Sequence, residues 1–182
     1  MIYVILADGF EEIEAIEPID IMKRAGLLVT TAGLSDLMVK GAHNISVKAD
    51  ILIDDINKAD MELLMLPGGV GHELLDKSEK VHELIDYAIE NDLYIASICA
   101  APSILGKREL LKGKNATCFP GFEDYLIGAS LSSKKAVVDG KFITARGAGC
   151  AVDFGFLIVE LLKDKLLADD LKGKMQYWKN QK

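Results

Sequence analysis

The sequence predicts a single doubly wound α/β domain, a mostly parallel sheet covered by helices on both faces in three layers. Three observations predict it. Short, continuously apolar runs recur along the chain, helical patterns separate them, and turns rich in glycine or proline follow them. Ile2–Leu6 is the first apolar run and reads as a strand buried on both faces. Residues 27–32 form the second, ended by Gly33. Leu63–Leu66 is the third, stopped by Pro67-Gly68-Gly69, and residues 93–98 are the fourth. Residues 136–138 and 142–144, joined across Asp139-Gly140, predict an antiparallel hairpin.

The helical patterns lie between the strands. One covers residues 11–25, with Gly26 just past its end. A second starts after Ser78 as N-cap, with Val81, Leu84, Ile85, Ala88 and Ile89 on its apolar face. A third spans residues 99–105 and a fourth residues 150–162. Right-handed crossovers turn this order into a flavodoxin-like sandwich, whose ligands sit beyond the carboxyl ends of the strands. Four segments reach that edge: residues 8–14, 67–69, 99–102 and 146–149.

Composition narrows the function. A chain of 182 residues fits one domain, residues 1–182, and can bury a real core. With 21 basic against 28 acidic residues it carries a formal charge of −7, which disfavours nucleic acid as a partner. No apolar run approaches the ~20 residues of a membrane span, and the first is too short for a signal peptide. Cys99, Cys118 and Cys150 are odd in number and widely spaced, with no metal-ligand pattern, so the expectation is reduced thiols, no metal and a cytoplasmic location.

Cys99 falls where a strand becomes a helix. Ala100 and Ala101 let the turn close, and Pro102 suits a first helical turn. Free N–H groups and the helix dipole then face the sulfur, which predicts a lowered thiol pKa and a reactive, oxidisable thiolate. Cys118 and Cys150 read as structural thiols. Glu14 is the second candidate. At 100° per residue it lies inside the apolar arc with Pro18, Ile21, Met22 and Ala25, while Glu17, Asp20, Lys23 and Arg24 fall opposite. Pro18, four residues on, disturbs the Glu14 carbonyl. A core-facing acid has a raised pKa and can donate a hydrogen bond or act as a general acid. Glu11 and Glu12 need no role beyond favouring a helix N-terminus.

Pro67-Gly68-Gly69 lets backbone N–H groups approach a ligand and form an oxyanion hole. Arg146-Gly147-Ala148-Gly149 precedes a helix and could hold an anion, but it lacks the phosphate-loop and dinucleotide patterns, so no cofactor is expected. His43, His72 and His82 are isolated, and His72 and His82 read as solvated residues on surface helices.

Together, residues 7–14, 66–69, 98–102 and 145–149 resemble the ThiJ/PfpI superfamily, in the branch of the Parkinson-disease-associated protein deglycase and its bacterial relatives. The four motifs occur in family order. The resemblance implies Cys99 as nucleophile, Glu14 as its protonated partner, and Gly69 and Ala100 as backbone oxyanion donors. It implies a homodimer with the first helix at the interface and Arg24 and His43 near it. It also implies cofactor-free action on methylglyoxal, glyoxal or their early glycation adducts on proteins. Redox sensing and chaperone activity, or an intracellular peptidase or amidase, are the alternatives. The sequence departs at Phe119, where many relatives carry histidine, which weakens the peptidase reading most.

Overall fold

Ile2, Val4, Ile5 and Leu6 of the first strand are fully buried. An open sheet does this to a strand only when both its faces are covered. The computed structural model describes residues 1–177. Its elements are β1 (Ile2–Leu6), α1 (Glu12–Arg24), β2 (Val29–Gly33), β3 (Met38–Lys40), β4 (Ser46–Lys48), β5 (Ile51–Leu52), β6 (Leu63–Leu66), α2 (His72–Lys77), α3 (Glu79–Glu90) and β7 (Tyr94–Ile98). They continue with α4 (Pro102–Lys107), β8 (Asn115–Ala116), β9 (Ser130–Leu131), β10 (Ala136–Asp139), β11 (Phe142–Ala145), α5 (Ala151–Leu162) and α6 (Lys165–Lys174). The main sheet has the order β10-β11-β7-β6-β1-β2-β5, parallel throughout except for the β10–β11 hairpin.

Side-chain alternation divides the core into two layers. Val4, Leu6, Met65 and Ile98 pack with α1 and α5 on one face. Tyr3, Ile5, Leu64 and Leu66 pack with α2, α3 and α4 on the other. The expected three layers are therefore present. Local signals act as predicted: Ser78 accepts the Val81 N–H at 3.4 Å to start α3, and Gly26, at φ 72°, ends α1.

Several elements depart from the sequence reading. β2 lies two residues later at its start. The β3–β4 hairpin was not foreseen. α6, Lys165–Lys174, lies beyond the last helical pattern read from the sequence, and its Leu171 is buried; residues 178–182 lie outside the described region. Among the described residues, no helix is long and apolar enough to cross a membrane.

Candidate active site at the carboxyl edge of the sheet

Cys99 follows β7 with φ at 66°, the left-handed region. For a residue with a Cβ this costs roughly 1–2 kcal/mol. Two backbone bonds hold it there: Cys99 N–H donates to the Ala145 carbonyl at 2.9 Å, and Phe119 N–H donates to the Cys99 carbonyl at 2.8 Å. The turn leaves the cysteine partly exposed between buried Ile98 and Ala100.

Glu14 arrives from the first turn of α1 and is 1% exposed. Its carboxyl hydrogen-bonds the Cys99 thiol. Gly68 N–H donates to its Oε2 at 3.1 Å, and the Ala148 N–H donates as well. Space for this contact exists because residue 68 has no side chain. A Cβ there would lie 2.5 Å from both Cys99 Cβ and Glu14 Oε2. The N–H groups of Gly69 and Ala100 are directed at the sulfur. The structure thus brings Cys99, Glu14, Gly69 and Ala100 into one site.

The electrostatics correct one expectation. The thiol pKa is raised, not lowered. Burial, then the charge of Glu14 and its hydrogen bond, push Cys99 up to about 12, against the pull of the Gly69 and Ala100 N–H groups. The expected dipole is weak because α4 has only six residues and begins three residues beyond the cysteine. Burial likewise pushes Glu14 up to about 7, aided by the charge of Glu11 and opposed by the hydrogen bonds it accepts. From pH about 7 to about 12 the pair therefore holds one proton in common.

The surroundings hold further residues the sequence left without a role. His72, read as solvated, is half-buried; its Nδ1 donates to the Gly69 carbonyl at 2.8 Å, and its ring meets Phe122 edge-on at 5.3 Å. His82 is also half-buried, with Nε2 donating to the Asp76 carbonyl at 2.7 Å. Glu12 does more than favour the helix start. Its carboxylate is buried, accepts the His43 and Ile45 N–H groups and the His43 ring at 3.0 Å, and so ties the loop before β4 to α1. Those bonds hold Glu12 down at about 2 despite burial, which opposes them, and they raise His43. Glu11, Glu12 and His43 bring one donor atom each within 4.8 Å, the one set among the described residues with metal-binding spacing, and here it is internally paired. In the residue 146–149 loop, which by sequence could hold an anion, the Ala148 N–H is already bonded to Glu14. The side chain of Phe119, 47% exposed, lies beside Gly147.

The DJ-1/PfpI family profile matches residues 1–161. The chain belongs to the DJ-1/PfpI family. It is 35% identical to protein dj-1beta of Drosophila melanogaster, over 89% of each chain. It is 32% identical to the deglycase PfpI of Pyrococcus furiosus, over 86% of this chain and 96% of that one. Against protein DJ-1 homolog B of Arabidopsis thaliana, 34% identical over 93% of this chain, it spans only 40% of the longer protein. The crystal structure of Drosophila DJ-1beta superposes with a TM-score of 0.89 at 33% identity, covering 96% of both chains. Oxidized Toxoplasma gondii DJ-1 gives a TM-score of 0.90 at 29% identity over the same shares. This membership agrees with the flavodoxin-like sheet order and with the motif resemblance.

Proposed function

We propose that this DJ-1/PfpI member is a cofactor-free glyoxalase or deglycase-like enzyme acting through Cys99. The observation that supports this is the buried Glu14 carboxyl hydrogen-bonded to a sulfur that also faces two backbone N–H groups. Relatives that carry the name deglycase point the same way.

With the shared proton on Glu14, the sulfur is a thiolate and adds to the aldehyde carbon of methylglyoxal. The C–S bond forms, the carbonyl electrons move to oxygen, and Glu14 delivers its proton there. The Gly69 and Ala100 N–H groups favour the negative charge as it passes from sulfur to oxygen. The Glu14 carboxylate then takes the proton from the former aldehyde carbon to give an enediol and returns it to the neighbouring carbon, while the hydroxyl proton of the first carbon passes to the oxygen of the second, so one carbon is oxidised as the next is reduced. Water cleaves the resulting thioester, releasing lactate and the free thiol. No external oxidant or reductant enters. Purified protein incubated with methylglyoxal forms lactate on this reading. Equal lactate formation by Cys99→Ser rejects it.

A redox-sensing role is the second reading, favoured by the partly exposed Cys99 sulfur and by the oxidized state of the Toxoplasma relative. There two peroxide molecules in turn each transfer one oxygen to the Cys99 thiolate and leave as water, and a protonated Glu14 donates to the sulfinate. Peroxide titration with intact mass, alongside turnover, separates the two. The same proposal includes a homodimer through α1, where Ile13 and Ile16 are 50% and 39% exposed. Light scattering at micromolar concentration gives twice the chain mass on this reading, and a single-chain mass removes it.

A further inference from the structure

The chain has three arginines at positions 24, 108 and 146. Arg24 pairs with Asp20 and Arg108 with Asp86. Arg146 lines a cavity of about 320 Å³ and, among the described residues, forms no ion pair. The backbone builds this cavity beyond the end of β11. Thr117 N–H donates to Thr144 Oγ1 at 3.0 Å, Ser132 N–H to the Ala116 carbonyl at 2.8 Å, and Arg146 N–H to the Lys135 carbonyl at 3.0 Å. It neighbours the Cys99 site without being part of it. Cys118 and Arg146 line it, while the next residue in each segment, Phe119 and Gly147, meets its counterpart beside Glu14.

Glu123 lines the same cavity. One of its oxygens accepts the Gly121 N–H at 2.6 Å, and the charge of Arg146 helps hold its pKa down. An arginine and a glutamate free to meet form a forked, charge-assisted pair. These two interact through their charges but make no hydrogen bond or ion pair with each other, and Ser132 and Ser133 also line the cavity. Two opposite charges that line one cavity without pairing match a ligand that carries both. A simple anion would meet Glu123, and a simple cation would meet Arg146. Leu131, 57% exposed, adds an apolar side chain to the lining. Cys118 does not make this a second nucleophilic centre. Burial, with the charge of Glu123, pushes its thiol up to about 11, against the pull of Arg146.

We infer that this cavity binds the zwitterionic head of a small aliphatic α-amino acid, with the carboxylate on the Arg146 fork, the ammonium on Glu123 and the aliphatic chain toward Leu131. The assignment stands whether or not Cys99 turns over a dicarbonyl.

The test is an amide NMR titration of the full chain with L-leucine, 4-methylpentanoate (no ammonium) and 3-methylbutylamine (no carboxylate), at matched ionic strength. The expected result is saturable shifts at residues 117–118, 131–133 and 146 with L-leucine. Each one-charge analogue, and leucine with Glu123→Gln or Arg146→Gln, should bind about ten- to a hundredfold more weakly. Absence of saturable leucine shifts overturns the assignment. So does 4-methylpentanoate binding that matches leucine and tightens in Glu123→Gln, which marks a plain oxyanion site. If Arg146→Gln loses its native spectrum, Glu123→Gln and the two analogues still decide.

Discussion

Cys99 and Cys118 lie on neighbouring segments, joined where the Phe119 N–H donates to the Cys99 carbonyl, yet their surroundings separate them chemically. Burial pushes both thiols up, to about 12 and about 11. Cys118, 4% exposed, has charged neighbours in Glu123 and Arg146 but no hydrogen bond from either. Cys99 sits on a left-handed turn, touches a buried acid that holds its own proton near neutrality, and receives two N–H groups. The comparison teaches that a raised thiol pKa does not by itself mark an inert sulfur. What counts is whether a proton-accepting partner lies within hydrogen-bond reach, so that the proton can leave the sulfur without leaving the site.

The largest expected effect tests that contrast directly. Cys99→Ser lowers lactate formation from methylglyoxal by at least about 10³-fold, whereas Cys118→Ser changes it by less than about twofold. Comparable losses in both variants would dissolve the distinction between the two sulfurs. Next comes the partner. Glu14→Gln keeps the shape and removes the proton exchange, and is expected to lower kcat by about 10²–10⁴-fold.

The same substitution acts on stability in the opposite direction. A carboxyl raised from 4.5 to about 7 in the fold costs stability once the unfolded chain would ionise. The cost is absent below pH about 4.5, grows as pH rises, and levels off above about 7. Denaturant melts should therefore find Glu14→Gln more stable than the parent at pH 8, by about 2–3 kcal/mol, and nearly equal to it at pH 4.5. A fourth variant addresses the packing that brings the pair together. Gly68→Ala places a methyl 2.5 Å from both partners and should cost about 1–3 kcal/mol along with most of the activity. The smallest effect lies outside the pair. Glu12→Gln weakens the tie between α1 and the loop before β4, lowering Tm by about 2–4 °C with little change in kcat, as read by calorimetry and turnover.

Much of this was legible in the sequence. Continuous apolar runs marked the central strands because a strand covered on both faces needs no alternation. The strand-to-helix step around Cys99 was visible in its small residues and Pro102, and Glu14 betrayed itself as an acid on an apolar arc. The hidden features were those set by distant partners. Nothing local says that Glu12 will reach the loop at His43, that His72 will bond the Gly69 carbonyl, or that the Ala148 N–H will be spent on Glu14. The thiol pKa was misread for the same reason. The local turn suggested a helix dipole, but the sign depends on burial and on a carboxylate that approaches from residue 14.

The proton shared between Glu14 and Cys99 is most directly read by the pH dependence of Cys99 alkylation. Peptide-resolved mass spectrometry would follow iodoacetamide labelling between pH 5 and pH 10. A thiolate that appears as the pair gives up its first proton produces an inflection near pH 7, the value at which that proton is released. Labelling that stays slow through neutrality and climbs only toward the limit of about 12 would place the proton on the sulfur and remove the nucleophile from the proposal.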